Sequence, residues 1–332
     1  MMNRRDFIKI AAVVGAAGAA AKLGFPPGRE GAAVRETRVL MGTVVQLTVR
    51  GGDPRQARRA AGACFEAMAG LEGLLSRFQP GSQVSLLNRS GSLIGPHPVL
   101  RGLVEQSLAL YRLTDGRFDI TVLPAVQLYQ DFQREGRGLP SGQDLDRVLP
   151  LVGSRGLEMD DDRIRFQRPG MGVTLDGIAK GAVVEGGVEA LRRSGCSRVL
   201  VEAGGDLLAR GGAEGRPWRV GVQNPRAGGD PILTRLEIRD QAAATSGDYL
   251  RAFRSDYGLH HILSPRSGVS RPDLASATVV CPDPARADGL ATALMTMSPE
   301  EALALVEDLP ETEAFLVTKQ LHTLASSGLP LV

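Results

Sequence analysis

The segment VTLDGIAKGAVVEGGVEALRRSGCSRVLV, residues 173–201, gives the strongest indication of the architecture. Its apolar spacing predicts a short strand at 173–175, a glycine turn, a helix over 178–193 and a strand at 198–201. The turn exposes backbone N–H groups at the positive end of the helix dipole, and Lys180 adds a cation in the first helical turn. This arrangement suits a phosphate or pyrophosphate, although glycine at such a turn more often serves chain geometry alone.

Strands and helices also mix in the rest of the chain. Residues 39–49 alternate and are rich in Val and Thr, which predicts a strand. Asp53 and Pro54 then start a helix that extends to about residue 77. Such a mixture is typical of an α+β protein, here with two lobes around a cleft. Further strands are predicted near 116–122, 218–222, 233–238, 260–263, 277–280 and 314–317, helices at 98–113, 285–297 and 300–307, and a loop with a short helix at 128–150.

Composition narrows the class of protein. The 332 residues allow one large domain or two modest ones, and 43% hydrophobic residues can form a substantial core. Only 4% of residues are aromatic, and the net charge of +2 comes from scattered Lys and Arg, so no nucleic-acid partner is expected. The three cysteines, Cys64, Cys196 and Cys281, lack metal-ligand spacing, and the sequence leaves a single disulfide open.

The N-terminus has the pattern of an export signal. Residues 3–9, Asn-Arg-Arg-Asp-Phe-Ile-Lys, form a twin-arginine motif, and residues 10–21 follow as a mild apolar run too short to span a bilayer comfortably. The alternative is an amphipathic first helix with two chance arginines. We expect residues 1–30 to be a signal peptide and residues 31–332 to form one domain, exported to the periplasm.

Two segments suggest a hard cation and a general base. Asp288 and Thr292 are four residues apart on a predicted helix, so a carboxylate and a hydroxyl share one face that could hold Mg²⁺. The alternative is a capping Asp and a Thr bonded to its own turn. His260 and His261 are neighbours on a predicted strand, so at most one faces a given site, where it could serve as a base.

Three further turns concentrate polar groups. Residues 245–249 read Thr-Ser-Gly-Asp-Tyr, residues 115–119 read Asp-Gly-Arg-Phe-Asp, and residues 203–206 read Ala-Gly-Gly-Asp. Each is compatible with ligand contact, but each is also compatible with an ordinary polar turn, an inward-pointing Phe or a close approach between strands. None of these motifs decides the function by itself.

The order of the motifs resembles that of the FAD:protein FMN transferase family, the ApbE-type proteins. The similarity covers about residues 37–320, which is nearly the whole chain after the signal. The matching motifs, in order, are Met41-Gly42-Thr43, Ser76 to Ser82, Thr114 to Val122, Gly177 to Gly181, Gly204-Gly205-Asp206, Trp218 to Gly221, Thr245 to Tyr249, His261 to Gly268 and Ala287 to Thr292.

The resemblance implies a two-lobed, T-fold-like architecture with mixed or antiparallel sheets flanked by helices and FAD in the cleft between the lobes. Lys180 and the helix start would contact the pyrophosphate. Gly177, through its carbonyl, would bind Mg²⁺ with Asp288 and Thr292. His261 matches a position proposed for catalysis, with Asp248 as an alternative base. The implied contacts to the flavin and adenine ends are Met41, Phe78, Arg117, Phe118, Asp119 and Ile262.

Two departures from the family pattern affect individual residues. The family often has Tyr where this chain has Phe78. Many members read Asp-Leu-Gly-Gly where this chain reads Thr-Leu-Asp-Gly, so either Thr174 or Asp176 occupies the position of the carboxylate. This version resembles the subset linked to nitrous oxide reductase maturation, which flavinylates a membrane partner.

The resemblance implies that FMN passes from FAD to a Thr or Ser hydroxyl of an acceptor protein, and AMP is released. The expected acceptor is a flavoprotein of a membrane electron-transfer system, with retention of the enzyme at the inner membrane left open. Two alternatives are an FAD-binding or storage protein and an FAD pyrophosphatase, in which water replaces the acceptor hydroxyl.

Overall fold

The computed structural model describes residues 33–212, 216–226 and 228–332. The twin-arginine motif and the expected signal peptide lie outside these residues. Among the helices of the described ranges, none is both long enough and apolar enough to cross a membrane.

Thirteen strands and eight helices make up the described chain. The strands are β1 (Ala33–Leu40), β2 (Thr43–Arg50), β3 (Ser92–Ile94), β4 (Leu157–Met159), β5 (Arg163–Phe166), β6 (Val199–Ala203), β7 (Asp206–Arg210), β8 (Trp218–Gln223), β9 (Ile232–Ile238), β10 (Ala242–Gly247), β11 (Leu274–Cys281), β12 (Glu313–Thr318) and β13 (Thr323–Ala325). The helices are α1 (Pro54–Leu75), α2 (Gln83–Ser90), α3 (Pro98–Leu113), α4 (Leu123–Arg134), α5 (Gly142–Val148), α6 (Ala179–Arg193), α7 (Pro284–Leu294) and α8 (Pro299–Glu307).

An eight-stranded sheet forms the larger lobe. Its order is β1-β2-β6-β7-β10-β11-β12-β13, and all of its pairs are antiparallel. The strand predicted over 39–49 is in fact a hairpin, because Met41 and Gly42 both have positive φ, at 54° and 67°. This turn ends β1 and begins β2, whose residues Val45 to Val49 pair with β6.

Helices cover one face of the large sheet and a hairpin covers the other. Helices α1, α6 and α7 bury the main apolar core, while β8 and β9 place Trp218, 1% exposed, on the opposite face. Helices α6 and α7 come into backbone contact at Gly181, where an added Cβ would lie 2.1 Å from the carbonyl oxygen of Pro284. Gly181 therefore permits a close crossing that a larger residue would prevent.

The smaller lobe contains the sheet β3-β5-β4 and helices α2 to α5. The predicted α+β class with antiparallel sheets and helices is confirmed. The predicted strand at 173–175 is wrong, because the side chain of Asn88 exchanges two hydrogen bonds with the backbone of Val173 and no partner strand is present.

Three other predictions near the cleft are also wrong. Residues 260–263 form no strand and make one isolated bridge, between Ala252 and His260. Residues 120–122 form a 3₁₀ turn instead of a strand, and α4 occupies the first seven residues of the loop predicted over 128–150, in which α5 is the predicted short helix. The apolar face of α4 packs on Phe253, whose ring stacks 5.1 Å from that of Tyr129. These tertiary contacts stabilise a helix whose many polar residues made it look like a loop in the sequence.

Candidate active site

A cleft that is open to solvent lies between the two lobes. It is lined by residues from α6, α7, β10 and the loop that follows β10. Most of the residues expected from the sequence line it: Arg117, Phe118, Asp119, Thr174, Asp176, Gly177, Lys180, His261, Ile262, Asp288 and Thr292.

The start of α6 and the middle of α7 form one wall of the cleft. The hydroxyl of Thr292 donates to the carbonyl oxygen of Gly177 at 3.4 Å, and the backbone N–H of Gly181 donates to Asp288 at 3.2 Å. A Cβ at position 177 would lie 2.8 Å from the Thr292 hydroxyl oxygen, so glycine permits this approach. The spacing of Asp288 and Thr292 thus brings both to the glycine turn, as expected.

Lys180 enters the cleft from the same wall. Its Nζ lies 2.6 Å from Oδ2 of Asp206, a carboxylate that the sequence analysis had treated only as the end of a glycine turn. Burial would lower the pKa of Lys180, but the carboxylates of Asp206 and Asp288 together raise it above its ordinary value. Lys180 is therefore a permanent ammonium, and it is already paired within the protein.

Asp288 is 3% exposed. Burial, and after it the negative charge of Asp206, raises the pKa of Asp288 well above its ordinary value. Lys180 and the N–H of Gly181 oppose this shift only in part. This wall therefore contains two buried carboxyl groups, Asp206 and Asp288, and only the ammonium of Lys180 to balance them.

The donor set of this wall fits a hard cation. A carboxylate of Asp288, the hydroxyl of Thr292 and the carbonyl of Gly177 are the oxygen ligands that Mg²⁺ prefers, and Mg²⁺ normally keeps several waters or substrate phosphates as its other ligands. The described ranges contain no group of three or more His, Cys, Asp or Glu side chains that could hold a metal ion.

His261 lies in the irregular part of the cleft lining, on the loop that follows β10. Its backbone N–H donates to the carbonyl of Arg251 at 2.9 Å, and Nδ1 is buried without a hydrogen-bond partner in the described chain. Burial first, and then the Arg251 charge, lowers the pKa of His261 to about 4. His260 is fully buried outside the cleft lining, so only one of the two histidines faces the site.

Asp248 does not line the cleft. Both of its oxygens accept hydrogen bonds from Arg226 at 2.8 Å, and Lys319 donates to one of them at 2.6 Å. The Asp248 carboxylate is 0% exposed, and these two cations occupy both of its oxygens. The structure therefore does not place Asp248 as the alternative base, and it gives this residue a structural environment.

The segment 117–119 supplies both a cation and structural contacts. Arg117 donates to the carbonyl of Thr296 and pairs with Glu301, each at 2.9 Å, while Phe118 is buried in the main core. The Asp119 carboxylate accepts four hydrogen bonds, from the N–H and hydroxyl groups of Thr121 and Ser154. Asp119 therefore holds the turn together, and its oxygens are already occupied.

The edge of the cleft contains residues that the sequence analysis missed. Arg77 donates to Asp176 at 2.9 Å and stacks 4.1 Å from the ring centre of Phe78, which is 57% exposed. Arg251 lies 6.0 Å from the same ring. Arg77 lies within the quoted motif Ser76 to Ser82 but was given no role, whereas no pattern marked Arg251, which the fold brings in from a loop.

Of four more residues expected at the site, two line the cleft and two do not. Phe78 and Met41 are absent from the cleft lining, and the N–H of Met41 donates to Glu72 in the β1–β2 turn region. Thr174 and Asp176 both line the cleft, and the hydroxyl of Thr174 accepts from the N–H of Asp176 at 3.2 Å. Neither residue is therefore excluded from the position of the family carboxylate.

A profile of the ApbE family matches residues 41–316, which span both lobes and every wall of the cleft. The chain belongs to the ApbE family. The predicted membership is confirmed, and the twin-arginine translocation signal profile that matches residues 1–21 confirms the predicted export signal.

Individual ApbE relatives agree in length and fold. The FAD:protein FMN transferase of Klebsiella pneumoniae is 29% identical over 298 residues, which cover 87% of this chain and 90% of that protein. The flavin transferase ApbE from Vibrio cholerae has a TM-score of 0.76 at 26% identity, covering 89% of this chain and 97% of the other. The ApbE protein from Thermotoga maritima has a TM-score of 0.79 at 27% identity, with the same two coverages.

Proposed function

We propose that this protein transfers FMN from FAD to a Thr or Ser hydroxyl of an acceptor protein and releases AMP. The observation that carries the proposal is the meeting of Gly177, Lys180, Asp288 and Thr292 on one wall of the cleft, with His261 in the same cleft lining. The relatives named FAD:protein FMN transferase support the same reaction.

The first wall suits the pyrophosphate of FAD. The glycine turn at residue 177 leads into α6, whose N-terminus has no side-chain cap and whose dipole favours an anion. Lys180 adds its ammonium beside them. The flavin and adenine ends would then contact the remaining lining, in which Ile262 and Phe118 supply apolar surface and Arg117 a cation.

The transfer is a phosphoryl substitution. The acceptor hydroxyl oxygen forms a bond to the phosphorus of the FMN half, and the bond from that phosphorus to the bridging pyrophosphate oxygen breaks, so AMP leaves with the bonding electrons. The hydroxyl proton passes to His261, which is neutral at physiological pH because its pKa is lowered to about 4. Anionic phosphates nearby raise the basicity of His261 while substrate is bound.

Asp288, Thr292 and the Gly177 carbonyl would hold Mg²⁺, which neutralises charge on the pyrophosphate and on the departing phosphate. The residues themselves orient the phosphates against α6. The burial of Asp288 keeps water from its carboxylate, which strengthens the electrostatic contacts of that group.

The signal supports export by the twin-arginine route. We further propose a domain over residues 31–332 that acts in the periplasm on a flavoprotein of a membrane electron-transfer system. Membership of the subset linked to nitrous oxide reductase maturation and retention at the inner membrane remain predictions of the sequence.

Incubation with FAD and Mg²⁺, with and without a Thr-containing acceptor domain, tests the activity. Mass spectrometry should show an FMN adduct on the acceptor and one AMP for each adduct. An acceptor with that Thr changed to Val is the matched control and should remain unmodified. Free FMN and AMP without an adduct would establish an FAD pyrophosphatase, and FAD bound but unchanged would establish a binding protein; either result overturns the proposal.

A further inference from the structure

Asp206 is a buried carboxylate that the proposed reaction does not yet use. It begins β7, pairs in register with Ala244 of β10 and is 2% exposed. Oδ2 accepts a hydrogen bond from Lys180, whereas Oδ1 is buried and has no donor in the described chain. The Asp288 carboxyl lies within hydrogen-bonding range of Asp206 but is itself an acceptor when it is ionised. A buried carboxylate oxygen without a donor is costly, so its retention calls for a ligand that completes it.

The surroundings of Asp206 are short of positive charge. Lys180 faces both Asp206 and Asp288, and Glu202 lies close enough to both Asp206 and Lys180 to interact electrostatically. One ammonium therefore serves several acids in a buried setting, where unpaired charge is expensive. Since Asp206 also acts strongly on Asp288, the unpaired oxygen belongs to the same locality as the oxygen ligands of the cation wall.

We propose that Asp206 is a further carboxylate of the cation site, its unpaired Oδ1 accepting a hydrogen bond from a water molecule bound to the cation. This inference rests on the metal component of the proposed function and adds a residue to it. Outer carboxylates of this kind orient bound water and contribute to metal affinity. Lys180 and the cation-bound water would then compete for the Asp206 carboxylate, and Lys180 would also contact the phosphates.

A second role for Asp206 makes a different prediction. If Asp206 only positions Lys180, then Asp206→Asn would weaken cation binding because the released ammonium repels the cation. In that case Asp206→Asn would have no effect on cation binding once Lys180 is removed. If Asp206 acts on the cation, its effect persists without Lys180. The two roles are separated by a double-mutant cycle of Asp206→Asn and Lys180→Met.

The probe is Mn²⁺, titrated by electron paramagnetic resonance into the protein alone and in saturating ADP, which has a pyrophosphate but no flavin. Asp206→Asn should weaken Mn²⁺ binding about tenfold, in the range typical of outer-sphere partners. Lys180→Met should tighten binding, because a nearby cation is removed, and Asp206→Asn should still weaken it in that background. Glu202→Gln, which removes a neighbouring buried acid, is the control and should change affinity less than threefold.

Three results would overturn the inference: unchanged Mn²⁺ affinity in Asp206→Asn, loss of its effect in the Lys180→Met background, or an equal effect of Glu202→Gln. If Asp206→Asn fails to fold, as judged by circular dichroism, Lys180→Met alone decides, since unchanged or weaker binding contradicts the proposal. Absence of Mn²⁺ binding to the wild-type protein in both conditions also overturns it. Flavin transfer, measured separately by mass spectrometry, shows whether the proposed function stands independently.

Discussion

Two buried aspartates, 40 positions apart in sequence, have opposite surroundings. Asp248 has two cations, Arg226 and Lys319, on a single carboxylate. Asp288 shares one cation, Lys180, with Asp206. The charge of Asp248 is balanced within the protein. The charges of Asp288 and Asp206 are balanced only when a further cation is bound. The comparison teaches that burial of an acid is not itself a sign of function and that its charge balance is more informative.

The largest expected effect comes from the incomplete site. Asp288→Asn keeps an oxygen acceptor for the N–H of Gly181 but removes the charge. We expect flavin transfer to fall about 1,000-fold, the upper range for losing one electrostatic contact to a transition state. The thermal midpoint should stay the same or rise, because a poorly compensated buried charge is gone. Transfer assays and calorimetry on one preparation check both parts, and full activity or a large loss of stability would contradict the comparison.

The complete site should respond in the opposite way. Asp248→Asn leaves Arg226 and Lys319 without their shared carboxylate, and breaking a buried ion pair costs about 3 kcal/mol. Urea unfolding should show this fall in the free energy of unfolding. Arg219→Gln, which removes a cation from an exposed pair with Glu237, is the control and should change stability by less than about 1 kcal/mol. Unchanged stability in Asp248→Asn would remove the basis of the comparison.

His260 and His261 allow the same comparison between a buried structural residue and a residue that lines the cleft. His261 lines the cleft, whereas its neighbour His260 is fully buried away from it. His261→Gln should lower the turnover of flavin transfer about 100-fold with a similar KM for FAD, as expected on losing a general base. His260→Gln should lower stability more than turnover. Equal turnover losses in both folded variants would argue against His261 as the base.

The smallest expected change is a flat pH profile. The lowered pKa of His261, about 4 against an ordinary 6.5, keeps the ring unprotonated as the pH falls. The groups acting on it are Arg251 and Lys180, which lower this pKa further, and Asp176, which raises it. Thus kcat/KM, which reports the free enzyme, should change less than about twofold from pH 7 to pH 5 and fall as the pH approaches 4. A decline of about 30-fold by pH 5 would indicate an ordinary histidine.

The wall made of regular elements could be predicted from the sequence. The spacing of Asp288 and Thr292 on a helix and the glycine turn before Lys180 both follow local rules, and the structure joins them because Gly177 and Gly181 permit close contact. The contact between these distant segments was predicted from the family resemblance, because local periodicity carries no information about which segments meet.

The irregular wall could not be predicted in the same way. His261 was placed on a strand, but the backbone of its neighbour His260 bonds to the Ser270 side chain instead of a sheet. Arg251 reaches the site through the packing of its loop. Asp206 belongs to the site because it pairs with Lys180, which lies 26 residues earlier in the chain. Both depend on tertiary contacts, although the Gly-Gly-Asp turn after β6 was a visible signal for Asp206.

The crossing at Gly181 also couples two charged groups of the cleft wall. With an added Cβ only 2.1 Å from the carbonyl of Pro284, α6 and α7 touch through their backbones at this point. Any larger side chain at position 181 would push the two helices apart and move Lys180 relative to Asp288. The absence of a side chain at this position therefore fixes the spacing of the charged groups in the wall.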